Sequence, residues 1–329
     1  MRKRPLFVLA GGVVVLAMAL AAHSLDRWAD PGAGYETPDL GPLAPGEVRW
    51  GNKGYIEYLV GDLPLILSAP HGGTLSPHEI PNRTRGYGIG DAHTEELTRL
   101  VADALRDLTG RPPHMVISRL ARRKLDPNRE PVEAANGDPI AEQAWLEYHG
   151  FIDVAKQQVT ESWGAGLYLD IHGHGHRTPW IELGYLLVTK VLNSSDRKLD
   201  NPWIRSRMSL RALAASTSAP LSELVRGSTS LGAMLERRGY RTVPSPGDPG
   251  PGRADYFNGG YSTLRHGSYH DGTVSSIQLE HPTRGVLDTE DNRQRYARQL
   301  AGILVEYMEI HYGFTLSRAG TPNAGTRVR

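Results

Sequence analysis

The run Leu167-Tyr168-Leu169-Asp170-Ile171-His172-Gly173-His174-Gly175-His176 carries a short apolar strand straight into three histidines at alternate positions. A run of this length, closed by glycines, reads as a strand. In an open α/β sheet, ligands gather at the carboxyl ends of the strands, so His172 stands where chemistry is expected. The glycines let backbone approach a bound ligand closely. Working outward, residues 54–60 alternate loosely and residues 65–69 are apolar up to Pro70, two strands expected to pair. Residues 115–117, 185–188 and 275–279 are further strand candidates. Asp91 opens a helix whose Leu97, Leu100, Val101, Ala104 and Leu105 share one stripe. Tyr296, Leu300, Ile303, Leu304, Tyr307 and Ile310 form the apolar face of a closing helix stopped by Gly313. Strands alternating with helix-length segments predict an α/β fold, a mixed and mostly parallel sheet flanked by helices.

Among 329 residues there is no cysteine, which excludes a disulfide framework, thiolate metal sites and a cysteine nucleophile. Any metal must be held by histidine and carboxylate. With 37 Lys+Arg against 36 Asp+Glu, the chain lacks the basic excess that nucleic-acid binding requires. Met1 to Arg4 is basic and residues 6–22 are continuously apolar, with small residues Ala19, Ala21 and Ala22 at the end. Residues 1–22 therefore read as an export signal or an uncleaved N-terminal anchor, the only membrane contact expected. Residues 23–47, rich in Pro and Gly without a period, read as a linker, residues 48–317 as one α/β domain and residues 318–329 as a disordered tail. The Pro/Gly-rich stretch 244–252 reads as a loop inserted over a site.

The strand ending in Ser68-Ala69-Pro70-His71-Gly72-Gly73 repeats the pattern of a histidine followed by glycine. Catalytic zinc takes three protein ligands and keeps one open position. His71 and His172 supply two, and the carboxylates between them are Glu79, Asp91, Glu95 and Glu96. Asp91 also suits a helix N-cap. Arg119, Arg122, Arg123, Lys124 and Arg129 form a basic cluster around Asp126-Pro127-Asn128. It reads either as a solvated basic face or as a holder of substrate carboxylate through arginine's planar fork. A further apolar strand ends in Gln278-Leu279-Glu280, where Glu280 is a candidate general base or a structural acid paired with Arg284. Arg284 is also a candidate substrate-binding cation.

Together these segments resemble the N-formylglutamate amidohydrolase family, related to the zinc carboxypeptidases and aminoacylases. The resemblance spans most of residues 55–312. It rests on Pro70-His71-Gly72-Gly73, Asp91-Ala92-His93-Thr94-Glu95-Glu96-Leu97, Arg122 through Asp126-Pro127-Asn128-Arg129, Asp170-Ile171-His172-Gly173-His174, Asn258-Gly259-Gly260-Tyr261 and Gln278-Leu279-Glu280. It implies a zinc carboxypeptidase-like architecture and one zinc ion on His71, Asp91 and His172. It further implies Glu280 as base, Arg122 on the oxyanion, and Asn128 with Arg129 on the substrate's α-carboxylate. The position three after His71, a glutamate ligand in the carboxypeptidases, is Thr74. The implied activity is hydrolysis of the amide of an N-formyl or N-acyl amino acid, here by an exported protein, secreted or periplasmic. A cell-envelope metallopeptidase acting on short peptides and a metal-binding protein without turnover are the alternatives. A serine hydrolase is disfavoured, since no G-x-S-x-G elbow occurs.

Overall fold

The structure, a computed structural model, describes residues 30–316 except residue 33. The expected signal and the whole of the expected tail lie outside the described residues. Among the described residues no helix is long and apolar enough to cross a membrane.

Eight strands form one sheet in the order β1-β2-β4-β3-β5-β8-β6-β7. They are β1 (Val48–Trp50), β2 (Ile56–Leu59), β3 (Leu65–Ala69), β4 (His114–Ser118), β5 (Gly166–His174), β6 (Ile181–Gly184), β7 (Thr242–Val243) and β8 (Val274–Pro282). The centre, β4-β3-β5-β8, is parallel, while β2 and β6 run antiparallel to β4 and β8. The sheet is thus mixed and mostly parallel, as expected. Three long helices cover it: α1 (Thr94–Thr109), α2 (Pro139–Trp163) and α3 (Glu290–Tyr312).

Period-two alternation divides each central strand between two cores. Leu65, Leu67, Met115, Ile117, Leu167, Leu169, Ile171, Ile277 and Leu279 face the α1 and α3 side. Ile66, Val116 and Tyr168 face α2. A strand buried on both faces must be apolar throughout, which is why the central strands read as short continuous runs. The chain leaves β3 through α1 to β4 on one side, then through α2 to β5 on the other. The carboxyl ends of β3 and β5 therefore flank a topological switch point, the place where open sheets bind ligands. Asp138 caps α2 by accepting from the Ile140 and Ala141 amides, and Gly313 ends α3 with φ 68°.

Three expectations are corrected. The first two strands do not pair, because β4 inserts between β2 and β3. The strand expected at 185–188 lies four residues earlier, at Ile181–Gly184, and Leu186 with φ 63° turns the chain out of extended structure. Charged Glu182 in the middle of β6 hid it, since the adjacent apolar run is core loop. Residues 244–252 do not cover the metal-ligand candidates; they pack on Arg226, Asn193 and Glu236. The stretch expected as a linker has no helix or strand where described, yet it lies against the domain. Leu40 and Leu43 join the α2-side core, and Pro31 O accepts from Arg265.

His114, at the start of β4, is buried and its Nδ1 accepts the Gly61 amide proton. Burial pushes its imidazole down to about 3, against the pull of Asp62. The folded protein therefore binds fewer protons here than the unfolded chain between about pH 3 and the ordinary value of 6.5. This stabilisation is complete above that window and is lost as pH falls through it. Urea unfolding across these pH values should show a His114→Gln variant with a shallower acid dependence, by about 1.4 kcal/mol per pH unit.

Candidate metal centre

Alternation also decides which side chains can meet. Ser68, Asp170, His172, Gln278 and Glu280 share the parity of the α2-facing residues, and β5 pairs with β8 so that His172 lies beside Glu280. His71 follows β3 across Pro70. A Cβ at Gly72 would meet the Glu95 amide, and one at Gly73 the backbone of Arg119, so only glycines let α1 and the segment after β4 close around His71.

His71 Nδ1 lies 3.2 Å and His172 Nδ1 3.1 Å from the same atom, Asp91 Oδ2. The far nitrogens have their own carboxylates. His71 Nε2–H donates to Asp126 Oδ1 at 2.6 Å, and His172 Nε2–H donates to Asp170 Oδ2 at 2.9 Å. These partners fix both tautomers with the proton on Nε2, leaving both Nδ1 lone pairs aimed at a carboxylate oxygen. Three lone pairs converging in a buried place repel one another unless a cation lies among them. Ligands about 2.0–2.1 Å from a tetrahedral zinc stand roughly 3.3 Å apart, close to the two nitrogen-to-carboxylate spacings observed. The outer carboxylates match the arrangement that orients metal-ligating histidines. The donor set fits a divalent metal with His71, Asp91 and His172 as ligands, and all three are buried.

The electrostatics carry the same demand. Burial opposes the charge on Asp91, yet His71 and His172 hold its carboxyl well below the usual range. Burial likewise opposes charge on His172, but Asp170 and Asp91 raise it well above an ordinary histidine, a proton answering the need a metal would meet. Asp126 is depressed by His71 and Arg122 in spite of its burial. Glu280 goes the other way. Burial pushes it up to about 8, His172 opposing and Asp91 adding. Gln278 Nε2 donates to Glu280 Oε1 at 2.8 Å, while Oε2 is buried without a hydrogen-bond partner.

Arg122 donates from Nε to Asp126 Oδ2 at 3.0 Å and from Nη1 to Asp91 Oδ1 at 3.3 Å. With His71, Asp91 and the turn Gly88–Ala92 it lines a cavity of about 510 Å³. The basic cluster is therefore no solvated face, since Arg122 and Lys124 are buried. Asn128 is committed to the fold: its Oδ1 accepts the Ser262 amide proton at 2.9 Å. Its Nδ2 stands 3.4 Å from His172 Nε2, whose proton already goes to Asp170. Arg129 is half-exposed and pairs with Glu133 at 3.3 Å. Arg284 is not brought to this centre, nor paired with Glu280; it lines a different cavity. The other carboxylates weighed as ligands are occupied elsewhere, Glu79 by Lys53 and Tyr55, Glu95 by Arg99, Glu96 by His93 and Arg293. Asp91 does not cap α1, which starts at Thr94 after His93 in left-handed conformation.

His174 and His176, unassigned from sequence, buttress the site. His174 Nε2–H donates to Trp180 O at 2.9 Å, and its Nδ1 accepts the His176 amide proton. Glu182 accepts from His176, Trp180 Nε1 and the Phe257 amide, which ties β6 to the segment carrying Asn258-Gly259-Gly260. The Asp126–Asn128 turn is held from behind by His149 Nε2–H on Pro127 O, and His149 Nδ1 accepts from His266. The sequence reading missed Asp126, Asp170 and Glu182 as working residues. Asp170 was findable, because residues two apart in a strand lie on one face. Asp126 and Glu182 had no such signal.

Zinc binding should fall about 10–100-fold in Asp126→Asn and in Asp170→Asn, the range for lost outer partners. Competition against a chromophoric chelator measures this, and His71→Ala should retain no tightly held zinc.

No family model matches the chain, and no curated protein does. Among solved structures, N-formylglutamate amidohydrolase from Ralstonia eutropha is similar at 15% identity and TM-score 0.46, covering 78% of this chain and 98% of that one. A gene product of Agrobacterium tumefaciens is similar at 15% identity and TM-score 0.44, over 78% of this chain and 94% of its own. A candidate metallopeptidase from Shewanella baltica has 12% identity and TM-score 0.32, over 91% and 92%. At this degree of likeness, function has to be argued from the site.

Proposed function

We propose that the protein is an exported zinc-dependent amidohydrolase that cleaves the amide of an N-formyl or N-acyl amino acid bearing a free carboxylate. The observation that carries this reading is the meeting of two Nδ1 lone pairs on Asp91 Oδ2 beside the unpartnered Glu280 Oε2. Held by His71, Asp91 and His172, zinc would supply Lewis acidity to the scissile carbonyl and to the attacking water.

The chain's own groups do the rest. Glu280, oriented by Gln278 and raised to about 8 by burial, takes a proton at Oε2 in its ionised form and returns it to the departing amine. Arg122, fixed between Asp126 and Asp91 in the cavity wall, faces the charge that grows on the carbonyl oxygen. Arg129, half-exposed beside Glu133, is the cation assigned to the substrate carboxylate. A cavity of about 510 Å³ suits a small amide. Export rests on the basic Met1–Arg4 and the apolar 6–22 run.

The test is a panel of N-formyl and N-acetyl amino acids and dipeptides with the zinc-loaded full chain. Glu280→Gln should lower kcat by about 10²–10⁴-fold with zinc still bound, and His172→Ala should lose both zinc and activity. Near-normal turnover in Glu280→Gln would remove the base assignment. Release of amino acid from dipeptides alone would favour a metallopeptidase, and zinc binding without hydrolysis of any amide a metal-binding protein.

A further inference from the structure

A second cavity, of about 670 Å³, opens at the same end of the sheet as the metal centre, on the far side of His174 and Glu182. Its wall carries Arg237, Arg238, Arg241, Arg284 and Arg295, and among the described residues no carboxylate lines it. Three separate parts of the fold bring these groups together. Arg237 and Arg238 end a short helix and lead to Arg241 just before β7, Arg284 follows β8, and Arg295 lies on α3. The convergence is therefore tertiary and is not one charged helix face.

Two carboxylates serve these five guanidinium groups. Glu306 pairs with Arg237 at 2.8 Å and more loosely with Arg238 at 3.9 Å. Asp248 pairs in bidentate fashion with Arg241, whose guanidinium also lies over the Trp180 ring. Arg238 and Arg295 otherwise donate to neutral amides, those of Gln299 and Asn292, and Arg284 makes no ion pair among the described residues. The nearby Asp288 accepts from the Gly285 amide and Asn292. Among the described residues Arg284 and Arg295 are thus left without a carboxylate partner, and five guanidinium groups face two carboxylates around one concave space. Exposed like charges this close repel, and the planar fork of arginine is suited to paired oxyanion oxygens. A cavity of this size exceeds the needs of one small anion.

We infer that this cavity binds a ligand carrying two or more oxyanion groups, phosphate or carboxylate, and that Arg284 and Arg295 are its principal contacts. The site is independent of the hydrolytic reading.

Calorimetric titration of the full chain with pyrophosphate, and separately with citrate, tests it at near-physiological salt, first on zinc-loaded protein and again after metal removal with EDTA and dialysis to clear the chelator. One-to-one saturable binding of either anion is expected, weakened at least tenfold in the R284A/R295A double variant and unchanged in Arg106→Ala, an exposed arginine elsewhere. Tighter pyrophosphate binding would identify a phosphate-bearing ligand, tighter citrate binding a polycarboxylate. Absence of saturable binding, equal affinity in the double variant, or binding that vanishes with the metal would overturn the inference.

Discussion

Two histidine nitrogens and one carboxylate oxygen share a buried point, and each histidine arrives there with its other nitrogen already committed. His71 is oriented by Asp126 and His172 by Asp170, so neither ring in its neutral form can turn a proton toward Asp91 without breaking a hydrogen bond to a carboxylate. Such an arrangement is costly to build, because buried carboxylates lose hydration that only close partners can replace. Arg122 helps by bridging Asp91 and Asp126. What the protein residues do not neutralise is the excess of lone pairs at the centre, and that excess is the physical basis for reading the site as a cation holder.

The sheet makes the constraint possible. Its order reverses at β3, so the loops after β3 and β5 open side by side, with α1 on one face and α2 on the other. Period two then puts Ser68, Asp170, His172 and Glu280 on a common face, while the α1 side of the same strands stays aliphatic. Glu280 sits on β8 beside His172, and Glu182 opposite it on β6, so burial and like charge act together on one carboxyl. The antiparallel β6 also turns the chain so that residues before β6, before β7 and after β8 meet at one end. The arginine-lined cavity arises from that meeting.

Legibility from sequence followed the range of the interactions. The strands at Leu65–Ala69 and Gly166–His174 and the helix ending at Gly313 were readable because burial on two faces and a left-handed cap leave local marks. His71, Asp91, His172 and Glu280 were readable as candidates through motif and strand-end position. β6 was misplaced because Glu182, buried and fully hydrogen-bonded, looks like a surface residue in one dimension. Arg284 looked like a partner for Glu280 from proximity along the chain, yet the two side chains diverge after Pro282.

The residues alone determined an α/β chain without cysteine chemistry, with histidines at strand ends and a carboxylate within reach of each. Composition and periodicity act over a few residues, which is enough to place a side chain at the end of a strand. Only the tertiary structure decided that Asp91, among four carboxylates, meets both histidines, that Asp126 and Asp170 hold them from behind, and that Arg284 turns away to join four other arginines. Those outcomes depend on strand order and register, set by how the whole core packs, and no local stretch of sequence encodes them.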